Sequence, residues 1–184
     1  MRAALLVVAL AAAEARAEEV PLPLQVQLLS KMATYIINGS QADAPVVKVW
    51  IVYPGASNVP SRGAQALAAA VEQVGQFGKQ AAQSKLVAFL DAKTLETGLA
   101  EEKPQFVYLA PELDEKTAAA VVEASTPTAA ITVSSVGDWV RTGAILGFTL
   151  VEARPQILVN MKQARRQNVS FHAAITRHAV VVER

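Results

Sequence analysis

The chain has no cysteine. Disulfides, thiol nucleophiles and thiolate metal sites are excluded, and the domain must stand on its core alone. Histidine is nearly absent, with His172 and His178 the only two. Six residues apart, they suit neither one helix face nor alternate positions of one strand, so no metal and no cofactor is expected. Charge is sparse at 18% of residues, and balanced, with 17 basic against 16 acidic side chains. A chain without a basic stripe or a polybasic segment offers no footprint for nucleic acid or anionic lipid. The Gly-Lys-Ser/Thr ending of a phosphate loop is missing, and so is a Ser–His–Asp set. Carboxylates are plentiful, but no two are marked as an acid/base couple. These absences together argue against an enzyme.

What is present is apolar residue. Hydrophobic side chains make up 52% of the 184 residues, and mean hydropathy is +0.28. That is too apolar for disorder and long enough for one domain with a sizeable core. The opening MRAALLVVALAAAEARAEE reads as a secretory signal. Arg2 supplies the positive start, residues 3–13 the short apolar stretch, and Ala15-Arg16-Ala17 the small-x-small cleavage pattern. The apolar stretch is about half the ~20 residues that span a bilayer, and no later run is longer. Cleavage after Ala17 leaves one domain, 18–184, outside the cytoplasm and not inserted in a membrane. It would carry 15 basic and 15 acidic residues, so the +1 of the full chain belongs to the signal. The Ala-rich signal has a bacterial look, and Asn-Gly-Ser at 38–40 and Asn-Val-Ser at 168–170 are not read as glycosylation sites.

Strands and helices alternate along the chain. Pro21 and Pro23 precede a helix over 24–37, with Leu24, Leu28, Met32 and Ile36 on one face. VVKVWIVY (46–53) has the near-continuous apolar reading of a strand covered on both faces. Ser61 is a candidate N-cap for a helix to Phe77, with Leu67, Val71, Val74 and Phe77 as its buried stripe. KLVAFL (85–90), QFVYLA (105–110) and AAITV (129–133) are further strands. Helices are expected over 93–101 and from Pro111, which brings Glu112, Asp114 and Glu115 into a first turn. Strands over 145–151 and 156–160 form a hairpin, a helix starts near Met161, and AVVV (179–182) suits a short edge strand. Such alternation implies a three-layer α/β fold of flavodoxin-like character, its sheet mostly parallel with the hairpin as an antiparallel edge. Few surface charges and a free sheet edge suggest a twofold homodimer.

In open sheets of this kind, ligands bind beyond the carboxyl ends of the strands. Two loops lie there. In PGASNVPSRG (54–63), Ser57, Asn58 and Arg62 could meet a small anion, or simply form a turn with an N-cap. In VSSVGDWVRTG (133–143), Ser134, Ser135, Asp138 and Arg141 could line a polar pocket. Trp139 beside them suits core packing, a wall of that pocket, or an anchor for a protein partner. Arg165 and Arg166 are either solvated or complementary to an acidic partner.

The segment GFTLVEARPQILVNMKQARRQNVSF (147–171) carries a more specific signal. A glycine-containing loop leads into an apolar strand, a hairpin, a strand ending in Asn, and a helix with Ala and Arg. Gly143, Ile145, Phe148, Ile157, Val159, Asn160, Ala164 and Arg165 follow this order, and Asn168-Val169-Ser170-Phe171 completes it. In this the chain resembles the YfiR-like family of bacterial periplasmic proteins, over most of 24–182. It departs from the family in having no cysteine pairs and no aromatic-rich opening helix ending in Trp-Pro. The resemblance implies a non-enzymatic repressor that binds the periplasmic sensor part of a membrane-bound diguanylate cyclase and lowers cyclic-di-GMP output. Trp139, Arg141, Phe148, Arg165, Arg166 and Phe171 are then the expected partner contacts. The alternative is a periplasmic small-ligand-binding module built on Ser57, Asn58, Arg62, Ser134 and Ser135.

Overall fold

The computed structural model describes residues 19–38, 44–56 and 59–182. The signal segment, together with Ser57 and Asn58, lies outside them. In chain order the elements are α1 (Leu22–Met32), β1 (Ile36–Asn38), β2 (Val46–Pro54), α2 (Arg62–Val74), β3 (Gln76–Phe77), β4 (Gln80–Phe89), α3 (Ala92–Glu102) and β5 (Phe106–Leu109). They continue with α4 (Glu115–Ser125), β6 (Ile131–Ser134), α5 (Trp139–Thr142), β7 (Leu146–Val151), β8 (Arg154–Val159), α6 (Met161–Arg166), β9 (Ser170–Phe171) and β10 (Ala179–Val181).

Eight strands form the main sheet in the order β10-β8-β7-β6-β5-β2-β4-β3. Strands β4, β2, β5, β6 and β7 are parallel. Counted among themselves they run 2-1-3-4-5, the flavodoxin-like doubly wound order. β2 reads as apolar because it is covered twice: Val49, Ile51 and Tyr53 face one core, Trp50 and Val52 the other. Only Lys48 breaks the run; it is exposed, and its Nζ donates to the Glu102 carbonyl at 2.9 Å. α1 and α2 cover the first face. α3 and α4 cover the second, with Trp139 packed against that core.

Several boundaries differ from the sequence reading, each for a local reason. α1 stops at Met32, and after a single 3-10 turn Ile36 pairs with Phe171 across a separate two-stranded sheet. Its deepest face is Gln25, Val26, Leu29 and Met32, while Leu24 and Leu28 are half-buried. α2 ends at Val74 because Gly75 takes the left-handed conformation, φ 66°, that closes a helix. Phe77 is buried as expected, but from β3, where its ring meets Phe106 edge-on at 5.5 Å. α4 starts at Glu115, not Pro111, because Asp114 is the N-cap and accepts from the Thr117 amide at 2.8 Å. The β7–β8 hairpin is present, turning at Glu152 and Ala153 with φ 50° and 58°. Positive φ at both central residues matches the right-handed twist of a hairpin. The hairpin does not close the sheet, however: β10 pairs with β8 in parallel and forms the edge.

Candidate functional site

β2 and β5 lie side by side, but the helices that follow them leave to opposite faces, so the crevice between their carboxyl ends is the topological switch point. Ser61 caps α2 by accepting from the Ala64 amide at 3.2 Å. The Gly63 amide, one residue earlier, donates a hydrogen bond to Glu112 Oε1 at 2.6 Å, and the Ser61 hydroxyl donates to Glu112 Oε2 at 2.7 Å. The anion at the amino end of α2 is thus a carboxylate of the chain itself, from the loop after β5. Arg62, the first residue of α2, is exposed. Sequence reasoning placed Glu112 in its own helix; only spatial neighbours bring it to another.

The second loop is closed differently. Ser134 and Ser135 are both buried. The Ser134 hydroxyl donates to the Val136 carbonyl at 2.6 Å, and that of Ser135 to the Leu109 carbonyl at 2.8 Å. Behind them, the Gln25 amide nitrogen donates to the Ser135 carbonyl at 3.2 Å and the Val20 carbonyl at 2.7 Å. Gln25 Oε1 accepts from the Tyr108 hydroxyl at 2.7 Å. Burial pushes the Tyr108 hydroxyl well above its usual range, which keeps it a neutral donor. The serines therefore fasten α1 and the ends of β5 and β6 together, and their hydroxyls do not line an open pocket. No sequence pattern marked Gln25, which sits within an otherwise apolar helix face.

The partner residues expected from the sequence divide into two groups. Phe148 and Phe171 are 3% and 8% exposed and belong to the first core, so their rings are withdrawn from any surface contact. Arg141 and Arg165 are exposed, and Trp139 is half-buried. Arg166 is exposed, donates to Gln163 Oε1 at 3.1 Å and lies 3.4 Å from Glu123. α5 and α6 abut, because the Asn160 side-chain amide donates to the Val140 carbonyl at 2.8 Å while its oxygen caps α6 at the Gln163 amide, 2.9 Å away. Gln163 reaches on to Thr126, just past α4, at 3.2 Å. A strand ending in Asn and followed by a helix thus has a physical meaning here: one amide both stops β8 and docks α6.

Two clefts remain. One, of about 390 Å³, opens between Leu99, Lys103, Pro104, Pro127 and Ala129 at the amino end of the sheet. The other, of about 300 Å³, lies between α1 and β8, with Leu28, Met32, Tyr35, Ile157 and His178 on its walls. Tyr35 and His178 meet there at 5.3 Å between ring centres. Among the described residues, no group of three or more His, Asp or Glu side chains is placed to hold a metal ion, and no helix is long and apolar enough to cross a membrane.

The model of the YfiR/HmsC-like family fits residues 24–180, nearly the whole chain. The chain belongs to the YfiR/HmsC-like family. No curated protein matches its sequence. Among solved structures, it is similar to an ABC domain in complex with L-Trp from Streptococcus pneumoniae, at 11% identity and TM-score 0.60, covering 89% of this chain and 62% of that one. A conserved domain protein from Vibrio cholerae gives 12% identity and TM-score 0.52, covering 89% and 60%. A ligand-free, open substrate-binding protein with adhesive properties from Clostridium difficile gives 11% and 0.58, again over 89% and 60%. At such identities the likeness is one of α/β fold. This YfiR/HmsC-like chain spans about three fifths of the length of the structures it matches.

Proposed function

We propose that this chain is a periplasmic regulatory protein that binds the periplasmic sensor domain of a membrane signalling protein, a diguanylate cyclase in the first instance, and represses it. The observation that carries this reading is membership of the YfiR/HmsC-like family across residues 24–180. The contact surface is the α5–α6 region, with exposed Arg141 and Arg165, Arg166 beside Glu123, and the free side of Trp139. Phe148 and Phe171 lie in the first core and do not belong to this surface. The chain works as a twofold dimer, with the edge strand β10 and its exposed Val180 available to a second copy. The test is co-expression with a membrane cyclase that carries a periplasmic domain. Cyclic-di-GMP should fall when the chain is present and recover with Arg165→Glu/Arg166→Glu, whose folding is checked by circular dichroism. Opposite-charge patches steer association, so the double reversal should act on the association rate and its salt dependence. An unchanged cyclic-di-GMP level with the wild-type chain sinks the reading.

A second reading, a small-ligand module, is favoured by one feature, the cleft of about 300 Å³ between α1 and β8. It is at the small end of the range for ligand sites and largely apolar. In the strand-end loop after β6, the Ser134 and Ser135 hydroxyls are buried and bonded to backbone carbonyls, so this reading rests mainly on the cleft. Thermal stabilisation by a defined small molecule without any protein partner distinguishes the two.

A further inference from the structure

We propose that Glu112 is an internal ligand that clasps the switch-point crevice shut, so that the position where this fold ordinarily takes a small anion is used by the chain to hold itself closed. The first turn of a helix leaves N–H groups without intrahelical partners and carries partial positive charge. In α2 the Ser61 side chain answers the Ala64 amide and Glu112 answers the Gly63 amide. The bond crosses the crevice, because α2 lies on one face of the sheet and the loop bearing Glu112 leads to α4 on the other. Gly63 is the residue that permits it. A Cβ there would stand 2.5 Å from Pro111 Cγ and 2.6 and 2.8 Å from the two Glu112 carboxylate oxygens. On the far side of β2, the Gly55 amide donates to the Phe89 carbonyl at 3.1 Å, where a Cβ would lie 2.2 Å from that oxygen. The end of β4, the two ends of the β2–α2 connection and the loop after β5 are thereby tied in a row across the carboxyl end of the sheet.

Glu112 is itself exposed, so water and dissolved anions reach the clasp. An exposed charge-assisted bond is strong enough to hold a loop and open enough to be competed away. Release would uncover the Ser61 hydroxyl and the Gly63 amide together, and would free the 110–114 loop from α2. This rests on geometry at the carboxyl edge and stands or falls apart from the partner surface on α5 and α6.

The experiment is hydrogen–deuterium exchange over residues 61–65 of the full mature chain, for wild type, Glu112→Ala, Glu112→Gln and Gly63→Ala, in sodium formate or sodium chloride at equal ionic strength. Glu112→Ala should speed exchange there about tenfold or more, as loss of a hydrogen bond to a charged group does. Formate, which fits the space the carboxylate leaves, should slow it again in Glu112→Ala but not in Gly63→Ala, where the added methyl fills that space. Glu112→Gln, which keeps shape and loses charge, should fall between wild type and Glu112→Ala and covers the case in which the alanine variant does not fold. Exchange in Glu112→Gln and Glu112→Ala equal to wild type overturns the clasp. Formate acting no differently from chloride on Glu112→Ala overturns the reading of the position as an anion site.

Discussion

The centre of the sheet and its C-terminal margin are held by opposite means. In β2, β5 and β6 most side chains are apolar and buried, Lys48, Thr132 and Ser134 being the polar exceptions among them; Ile51, Val107, Leu109 and Val133 are all 0% exposed. Nothing in these side chains dictates which residue stands beside which, beyond shape and the alternation of faces. The margin from α5 to β10 keeps polar groups inside. Asn160, Gln163 and Gln167 are buried along one short helix, and the first two fasten it to Val140 and Thr126. Hydrophobic burial supplies stability without much direction, whereas a buried amide accepts only a few geometries. The margin accordingly asks for particular side-chain amides at particular positions.

The comparison breaks most plainly at Leu109. Leu109→Ala removes a fully buried side chain from the second core and should cost about 3 kcal/mol, within the span for such truncations. Urea unfolding should show a lower midpoint with an unchanged slope. A loss below about 1 kcal/mol, outside that span, would mean the centre collapses around the hole and is less tightly packed than its burial implies. Asn160→Ala is the matching test at the margin. It removes an N-cap and a buried bond to Val140, together worth about 2 kcal/mol. Amide exchange should rise in α5 and α6 while β2 and β5 stay protected. Uniform loss of protection would show that margin and centre unfold as one. Gln167 gives the smallest effect and the sharpest sign. It is 1% exposed, and its side-chain amide has no hydrogen-bonding partner among the described residues. Gln167→Leu should therefore leave stability unchanged or raise it by up to about 1 kcal/mol, since an unsatisfied polar group is removed. A clear loss of stability would show that this amide is satisfied after all and that the margin is polar by need.

Legibility in the sequence followed the range of the interaction. β2 was plain at 46–53 because a strand covered on both faces must be apolar throughout. Ser61 was readable as a cap because its bond to Ala64 spans three residues. α6 near Met161 and the edge strand β10 were visible for similar local reasons. Phe148 and Phe171 were misjudged as surface contacts because hydrophobicity alone does not say whether an aromatic faces a partner or its own core. Ser57 and Asn58, two of the five residues of the ligand-loop reading, lie outside the described residues.

The sequence by itself determined the kinds of element, their alternation, the absence of thiol chemistry and hence the α/β class, because each depends on neighbours within a few positions. Tertiary structure alone decided four things. The buried face of α1 was set when Gln25 found Tyr108, 83 residues away. Phe77 was assigned to a strand when Gly75 ended α2 and β3 paired with β4. The C-terminal edge strand was given its neighbour, β8, and its parallel direction. Glu112, which the sequence placed as an ordinary first-turn acid of its own helix, was delivered by the strand order to the amino end of another. Phe77 apart, whose turn and strand partner are near in sequence, the deciding partner is remote along the chain, and only the packing of β2 beside β5 and of helices on both faces brings such partners within the few ångströms over which a hydrogen bond or a van der Waals contact acts.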